Sequence, residues 1–261
     1  MNPATAMMWR PESGCGPHCV PGGDDTASPL VQAARIGAAA AVLLAGLVIV
    51  PLARGAAVRW VARTLLTVLG VRLVRRGPAP RPGSLLAANH VSWIDVLALL
   101  TATPLSLVAK REVGGWPGVG AMARALGVIF IDRTRPMLLP ATVAEVAATL
   151  RTGRTVAVFP EGTTSCGARP GRFRPAMFQA AVDAAAPVVP VTIRYGTPAA
   201  SFVGHETLWQ SVRRVAALRE LTVTVVAAPA LRPEPGASRR SLARAAQASS
   251  GLPAARFGLA A

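Results

Sequence analysis

Residues 88–96 read Ala-Asn-His-Val-Ser-Trp-Ile-Asp-Val and put a histidine five positions before an aspartate. Histidine is the usual side chain for taking a proton near neutral pH, and a carboxylate on its other nitrogen would hold the tautomer and stabilise the imidazolium that forms. On a regular helix an i,i+5 pair lies about 140° apart, so His90 and Asp95 meet only where the chain turns between them. The flanking residues supply such a place: residues 84–88 read as a short buried strand and residues 96–100 as an apolar helix, with His90 at the junction. A purely structural reading fits as well. Ser92-Trp93-Ile94-Asp95 matches a capping box, with Ser92 as N-cap and Asp95 three positions on.

The elements that would position this pair alternate along the chain. After the turn-rich linker at 77–83, apolar runs predict strands over 84–88, 105–109, 127–131, 155–159, 188–194 and 221–227. Helical stretches are predicted over 92–101, 116–125, 137–151, 175–185 and 206–218, with a short one near 238–248. This pattern implies an α/β fold, a mostly parallel sheet flanked by helices. Open sheets of this class place chemistry beyond the carboxyl ends of their strands. Here the first strand runs into Asn89-His90, the second into Lys110, the third into Asp132-Arg133 and the fourth into Phe-Pro-Glu-Gly-Thr-Thr-Ser (159–165). One base, two cations and a glycine-containing loop with backbone donors converge on one edge.

Composition narrows the setting. Of 261 residues, 52% are hydrophobic and 15% charged, and the net charge of +16 comes almost entirely from arginine. The mean hydropathy, +0.42, is high for a protein without a membrane-facing part. Such a charge suits an anionic lipid surface and phosphorylated substrates, or nucleic acid. The aromatic content of 5% argues against a base-stacking surface. Residues 36–53 form an uncharged run bounded by Arg35 and Arg54, at the short end of bilayer-spanning length. Arginines 54, 59, 63, 72, 75 and 76 follow it, and Asp24 and Asp25 precede it, which assigns the cytoplasmic face of the cell membrane whether the run spans or only dips in. Residues 56–76 read as an amphipathic helix at the interface; a core helix pair is the alternative. The expected organisation is a disordered segment (1–30), an N-terminal hydrophobic and amphipathic helical membrane anchor (31–78), an α/β domain (79–230) and a flexible tail (231–261) with one possible short helix. Cys15-Gly16-Pro17-His18-Cys19 has ligand-like spacing, but no second cluster in sequence completes a zinc site, so it is read as part of the loose segment.

The motifs bear a resemblance. Asn89-His90 with Asp95 resembles the NHx4D motif of the glycerolipid acyltransferases, the family that includes 1-acyl-sn-glycerol-3-phosphate acyltransferase. GVIFIDR (127–133) is similar to the family's second motif, FPEGTTS (159–165) to its third, usually FPEGTRS, and VVPVTI (188–193) to its fourth. Lys110 and Glu112 fall where members often carry a lysine and a glutamate, and the likeness covers about residues 80–230. Thr164 departs from the arginine of many members that form phosphatidic acid. That departure, with Gly167 and RPGRFRPAMF (169–178), also resembles the lyso-ornithine lipid acyltransferases.

The resemblance implies a membrane-associated O-acyltransferase that moves a fatty acyl group from acyl-CoA or acyl-carrier protein to a lysolipid hydroxyl. 1-Acyl-sn-glycerol-3-phosphate, giving phosphatidic acid, is the expected acceptor, and lyso-ornithine lipid the alternative. No cofactor, metal or nucleic acid is expected; the partners are the lysolipid, the acyl donor, an anionic membrane surface and acyl-carrier protein. His90 would be the base and Asp95 its orienting carboxylate. Backbone N–H groups at Gly162 and Thr163 would face the oxyanion. Arg133 would bind the acceptor phosphate bidentately and Lys110 would add a point charge. Glu161 would orient Arg133, bind the glycerol hydroxyl or be structural. Cys166 raises a rival acyl-cysteine route, or is a small loop residue. Outside the enzymes, a basic membrane-anchored binding protein, with His90 and Asp95 merely capping a helix, has the same composition.

Overall fold

The apolar runs become strands and the periodic segments helices. In chain order these are α1 (Pro29–Val68), β1 (Val71–Arg76), β2 (Leu85–Ala88), α2 (Ile94–Leu100), β3 (Leu105–Lys110), α3 (Val119–Ala125), β4 (Ile129–Ile131), α4 (Leu139–Arg151), β5 (Thr155–Val158), α5 (Ala176–Asp183), β6 (Val188–Tyr195), α6 (Leu208–Ala217), β7 (Leu221–Ala227) and α7 (Arg239–Ser249). The structure is a computed structural model and describes residues 13–20, 26–116, 118–168, 170–234 and 236–251.

The strands form one sheet in the order β1-β7-β6-β2-β5-β3-β4. Neighbours are parallel except β6 and β7, which are antiparallel. Alternation along the central strands divides the core in two. Leu86, Ala88 and Ala157 face α1, α2 and α6, whereas Leu85, Ala87, Val156 and Val158 face α4, α5 and α7. Burial on both faces is why these strands read as unbroken apolar runs.

Three expectations need correction. Residues 56–76 are not one interfacial helix. Residues 56–68 complete α1, with Val58, Val61, Ala62, Leu65 and Leu66 in the core, and Val71–Arg76 is an edge strand paired with β7. Arg63 and Arg75, expected at lipid headgroups, both donate to Thr101 O at the end of α2. Second, the N-terminal segment is structured where it is described. Cys15 is buried, Pro17–Cys19 forms a 3₁₀ turn, and Ala27 N donates to Ala217 O at 2.7 Å; residues 1–12 and 21–25 lie outside the described residues. Third, the short helix expected near 238–248 forms as α7, but it is packed rather than part of a flexible tail: it buries Leu242, Ala243 and Ala246 against the sheet layer, and residues 252–261 lie outside the described residues.

Helix α1 also turns back on itself. A straight helix would put Gly46 and Val61 about 22 Å apart. Yet a Cβ built on Gly46 falls 3.2 Å from Val61 Cγ2. Pro51 lies between them; it lacks an N–H and its ring clashes with the carbonyl four residues earlier, which breaks the helical ladder there. The first arm lies within the 25-residue stretch Pro29–Ala53, whose most apolar 18-residue window has a mean hydropathy of 2.5, and is long and apolar enough to cross a membrane. Its Ile36, Val42, Leu43 and Ile49 pack on the domain, and Leu44, Leu47, Val48 and Leu52 are exposed.

Candidate active site

β2 ends at Ala88, and buried Asn89 fastens the strand end to β6 by donating to Ile193 O at 3.0 Å and accepting from Ile193 N at 2.7 Å. The backbone then turns, so that Asp95 on the first turn of α2 faces His90. Asp95 Oδ2 accepts from His90 Nδ1 at 2.9 Å, Val91 N at 2.7 Å and Ser92 N at 2.9 Å. Tyr195 OH, at the end of β6, donates to Asp95 Oδ1 at 2.5 Å. Asp95 is fully buried, and these four donors take the place of water around its carboxylate. The two roles read from the sequence coincide in part: Asp95 accepts from Ser92 N at the start of α2 and orients the imidazole, but Ser92 Oγ caps no N–H of the helix, so only half of the expected capping box forms. A carboxylate can only accept, so Nδ1 carries the proton and Nε2 the lone pair. Phe159 stacks on the imidazole at 3.9 Å between ring centroids and 14° between planes. Burial, reinforced by Asp95, raises the Tyr195 pKa well above the phenol value and keeps its hydroxyl a donor.

Glu161 braces the backbone under His90. Its Oε1 accepts from His90 N at 3.1 Å and its Oε2 from Gly171 N at 2.7 Å. A Cβ at Gly171 would fall 3.0 Å from Glu161 Oε2, so the glycine permits this approach. Gln247 of α7 clamps the same segment, accepting from Phe173 N at 3.0 Å and donating to Gly171 O at 3.2 Å. Burial pushes the Glu161 carboxyl up to about 7, with Asp95 adding to the rise and the two backbone N–H groups opposing it. The expected contact with Arg133 is not made among the described residues.

The loop after β5 departs from expectation at one atom. Gly162, at φ 77°, closes a turn by donating its N–H to Phe159 O at 3.0 Å, so that group is already engaged. Among the described residues, Thr163 N–H makes no intramolecular hydrogen bond and is the donor the loop offers. Ser165 N, at 2.8 Å from His90 O, ties the loop to the His90 backbone. Cys166 Sγ lies 3.4 Å from Cys15 Sγ.

The cations form a second group. Lys110 Nζ stands 5.5 Å over the Trp116 ring. Lys110 is in register with Ile131, so Arg133 follows two residues past the end of the adjacent strand. Asp132 does not pair with Arg133. Hydrogen bonds from Thr134, then Arg111, hold its carboxyl below the usual range. Arg133 is largely buried, which lowers its pKa; Glu112 favours its charge and Arg174 opposes it. Two neighbouring guanidiniums are relieved by an anion that bridges them. Arg174, with Arg172, Glu161, Thr163 and Ser165, lines a cavity of about 520 Å³.

A sequence model of the family described as Acyltransferase matches residues 60–194, which include His90, Asp95, Lys110, Arg133 and Glu161. The chain belongs to the acyltransferase family. Among its relatives, a 1-acyl-sn-glycerol-3-phosphate acyltransferase of Neisseria meningitidis serogroup B is 37% identical over 186 residues, 67% of this chain and 71% of that protein. A lyso-ornithine lipid O-acyltransferase of Pseudomonas aeruginosa is 35% identical over 196 residues, 72% of this chain and 74% of that one. The crystal structure of the 1-acyl-sn-glycerophosphate (LPA) acyltransferase PlsC from Thermotoga maritima superposes with a TM-score of 0.62 at 22% identity, covering 85% of this chain and 92% of that one, and shows the shared fold. Sequence reasoning about this acyltransferase missed Tyr195, Gln247 and Arg174 as site residues. Tyr195 had one signal, being the single tyrosine of the chain at the end of a predicted strand. Arg174 lay in the quoted basic-aromatic stretch. Gln247 had none.

Proposed function

We propose that this acyltransferase moves a fatty acyl group from acyl-CoA or acyl-carrier protein onto the free hydroxyl of 1-acyl-sn-glycerol-3-phosphate at a membrane surface. The observation that carries the reading is His90, with Nδ1 fixed by Asp95 and Nε2 left without a partner among the described residues, beside an arginine-lined cavity. Nε2 takes the acceptor's hydroxyl proton as its oxygen attacks the thioester carbonyl. The tetrahedral oxyanion forms near Thr163 N–H. Collapse breaks the C–S bond, and the imidazolium returns the proton to the departing thiolate. No acyl-enzyme is required. Arg133, with Arg174 and Lys110, binds the acceptor's phosphate. Glu161 supports the site through backbone contacts.

The exposed side chains Leu44, Leu47, Val48 and Leu52 support attachment to the bilayer, and the first arm's packing on the domain favours a monotopic anchor over a free span. The arginines that follow this run support the cytoplasmic, anionic face. A second reading, acylation of lyso-ornithine lipid, is favoured by Thr164 and by the Pseudomonas aeruginosa relative.

The test is a lysolipid panel with a radiolabelled acyl donor. Wild type should label 1-acyl-sn-glycerol-3-phosphate, and His90→Ala should lose about 10²–10⁴-fold in kcat with its melting temperature nearly intact. Label in lyso-ornithine lipid alone would move the acceptor to the second reading. Near-normal turnover by His90→Ala would sink the mechanism.

A further inference from the structure

The chain has three cysteines in 261 residues, and the acyl-transfer chemistry uses none of them. Two lie in the N-terminal segment and the third 151 positions after Cys15, immediately past the loop that carries Glu161 and Thr163. All three Sγ atoms nevertheless lie within 4.8 Å of one another. The 3₁₀ turn Pro17–Cys19, closed by Cys19 N to Gly16 O at 2.9 Å and Val20 N to Pro17 O at 3.0 Å, folds Cys19 back toward Cys15. Cys15 is buried, and Cys19 and Cys166 are partly exposed, so the cluster is reachable from solvent.

We infer that Cys15, Cys19 and Cys166 form a three-thiolate site for a zinc-class divalent cation, which fastens residues 13–20 to the loop beside the acyl-transfer site. The dimensions agree. A tetrahedral ion with metal–sulfur bonds of about 2.3 Å puts its sulfurs about 3.8 Å apart. Cys15 Sγ and Cys166 Sγ are 3.4 Å apart, and Cys19 Sγ lies within 4.8 Å of both. Cys15 and Cys19 are separated by three residues, within the spacing of metal-binding cysteine pairs. Cys166 N donates to Cys15 Sγ at 3.3 Å, the backbone-to-sulfur contact that supports a coordinated thiolate. Soft sulfur donors select zinc-class ions over calcium or magnesium. A disulfide would join two of the sulfurs and leave the third without a role. His18 on the same turn is exposed and outside the cluster, so the fourth position is left to a water. Binding releases the thiol protons to solvent.

The consequence reaches the active site. Ser13 and Cys15 line the 520 Å³ cavity with Thr163, and the same three residues line a second cavity of about 990 Å³ bounded by Val203 and Leu218. The segment that the ion would fasten is therefore a wall between the two.

The experiment uses full-length protein purified in detergent under reducing conditions without chelator. Metal analysis should find about one zinc per chain, and Co²⁺ added to metal-stripped protein should give near-ultraviolet thiolate-to-metal absorption. Losing an outer hydrogen-bond partner weakens metal sites by about 10–100-fold, so each Cys→Ser change should cost at least that in Co²⁺ affinity. Cys166→Ser is decisive because it lies far from the other two in sequence. Partly exposed Cys19→Ser provides the same reading if Cys166→Ser lowers the melting temperature. Bound zinc should also slow alkylation of all three thiols. Full Co²⁺ binding by either variant, no metal uptake by the wild type, or a Cys15–Cys166 disulfide in the reduced preparation would overturn the assignment.

Discussion

Replacing Asp95 by asparagine removes one charge and almost preserves the side chain's shape. Three donors converge on Oδ2, namely His90 Nδ1, Val91 N and Ser92 N, and one, Tyr195 OH, reaches Oδ1. An amide nitrogen on the Oδ2 side would face three donors, so the asparagine must keep its carbonyl there and turn its NH₂ toward Tyr195. A phenol can reverse and accept that hydrogen bond. The Nδ1–H tautomer of His90 therefore survives, and what is lost is the negative charge opposite the imidazolium. At about 4 Å between charge centres and an effective dielectric constant of about 20, that charge contributes about 4 kcal/mol. One decade of rate corresponds to about 1.36 kcal/mol, so kcat should fall by up to about 10³-fold while the acceptor KM stays near wild type. The assay is steady-state turnover of 1-acyl-sn-glycerol-3-phosphate with a radiolabelled donor, alongside thermal unfolding by circular dichroism. Adding Tyr195→Phe leaves the amide N–H without an acceptor and should lower the melting temperature further than either change alone. The reasoning fails if Asp95→Asn loses less than about tenfold in kcat, or if it unfolds at lower temperature with normal specific activity, which would leave only the helix-starting role.

Arg133→Ala should raise the KM for a phosphate-bearing acceptor by about 10–100-fold, from a charge-assisted contact of about 1.5–3 kcal/mol, and Arg133→Lys should recover part of it. Unchanged acceptor constants would make Arg133 structural. Because the folded-state pKa of Glu161, about 7, exceeds its ordinary value of 4.5, the folded state binds the extra proton between those values, so this group's contribution to stability falls as pH rises through that window. Thermal unfolding from pH 5 to 8 should show a steeper decline for wild type than for Glu161→Gln; parallel curves would contradict the burial argument. Deleting residues 36–76 would remove β1 and the core arm of α1, so the anchor is better tested by Leu44→Ser, Leu47→Ser, Val48→Ser and Leu52→Ser together. These should release the protein from anionic vesicles in a flotation assay without changing its melting temperature, and continued flotation would place the membrane contact elsewhere.

Short-range patterns made much of this molecule legible. Residues 84–88 and 155–159 announce strands because both their faces are buried, and a run that is apolar at every position has few other homes. Once the strands are known, the parallel arrangement brings their carboxyl ends to one edge, so His90, Lys110, Arg133 and Glu161 can be grouped without coordinates. The pairing of His90 with Asp95 is also local, since five residues of chain fix both partners.

What stayed hidden depends on partners far apart in the chain. Val71–Arg76 carries three arginines and no clean alternation, and is a strand because β7, about 150 residues later, offers it an edge. An edge strand tolerates charges that a central one would not. The uncharged run at 36–53 has the composition of a membrane span, but packing on the domain, and the break at Pro51, decided that α1 folds back. Tyr195 reaches Asp95, Gln247 clamps Gly171, and three cysteines meet across 151 positions, with no periodicity to announce any of them. Local spacing encodes backbone conformation and which face is buried, whereas the choice among distant partners is made by packing and by the hydrogen bonds that buried polar groups must find.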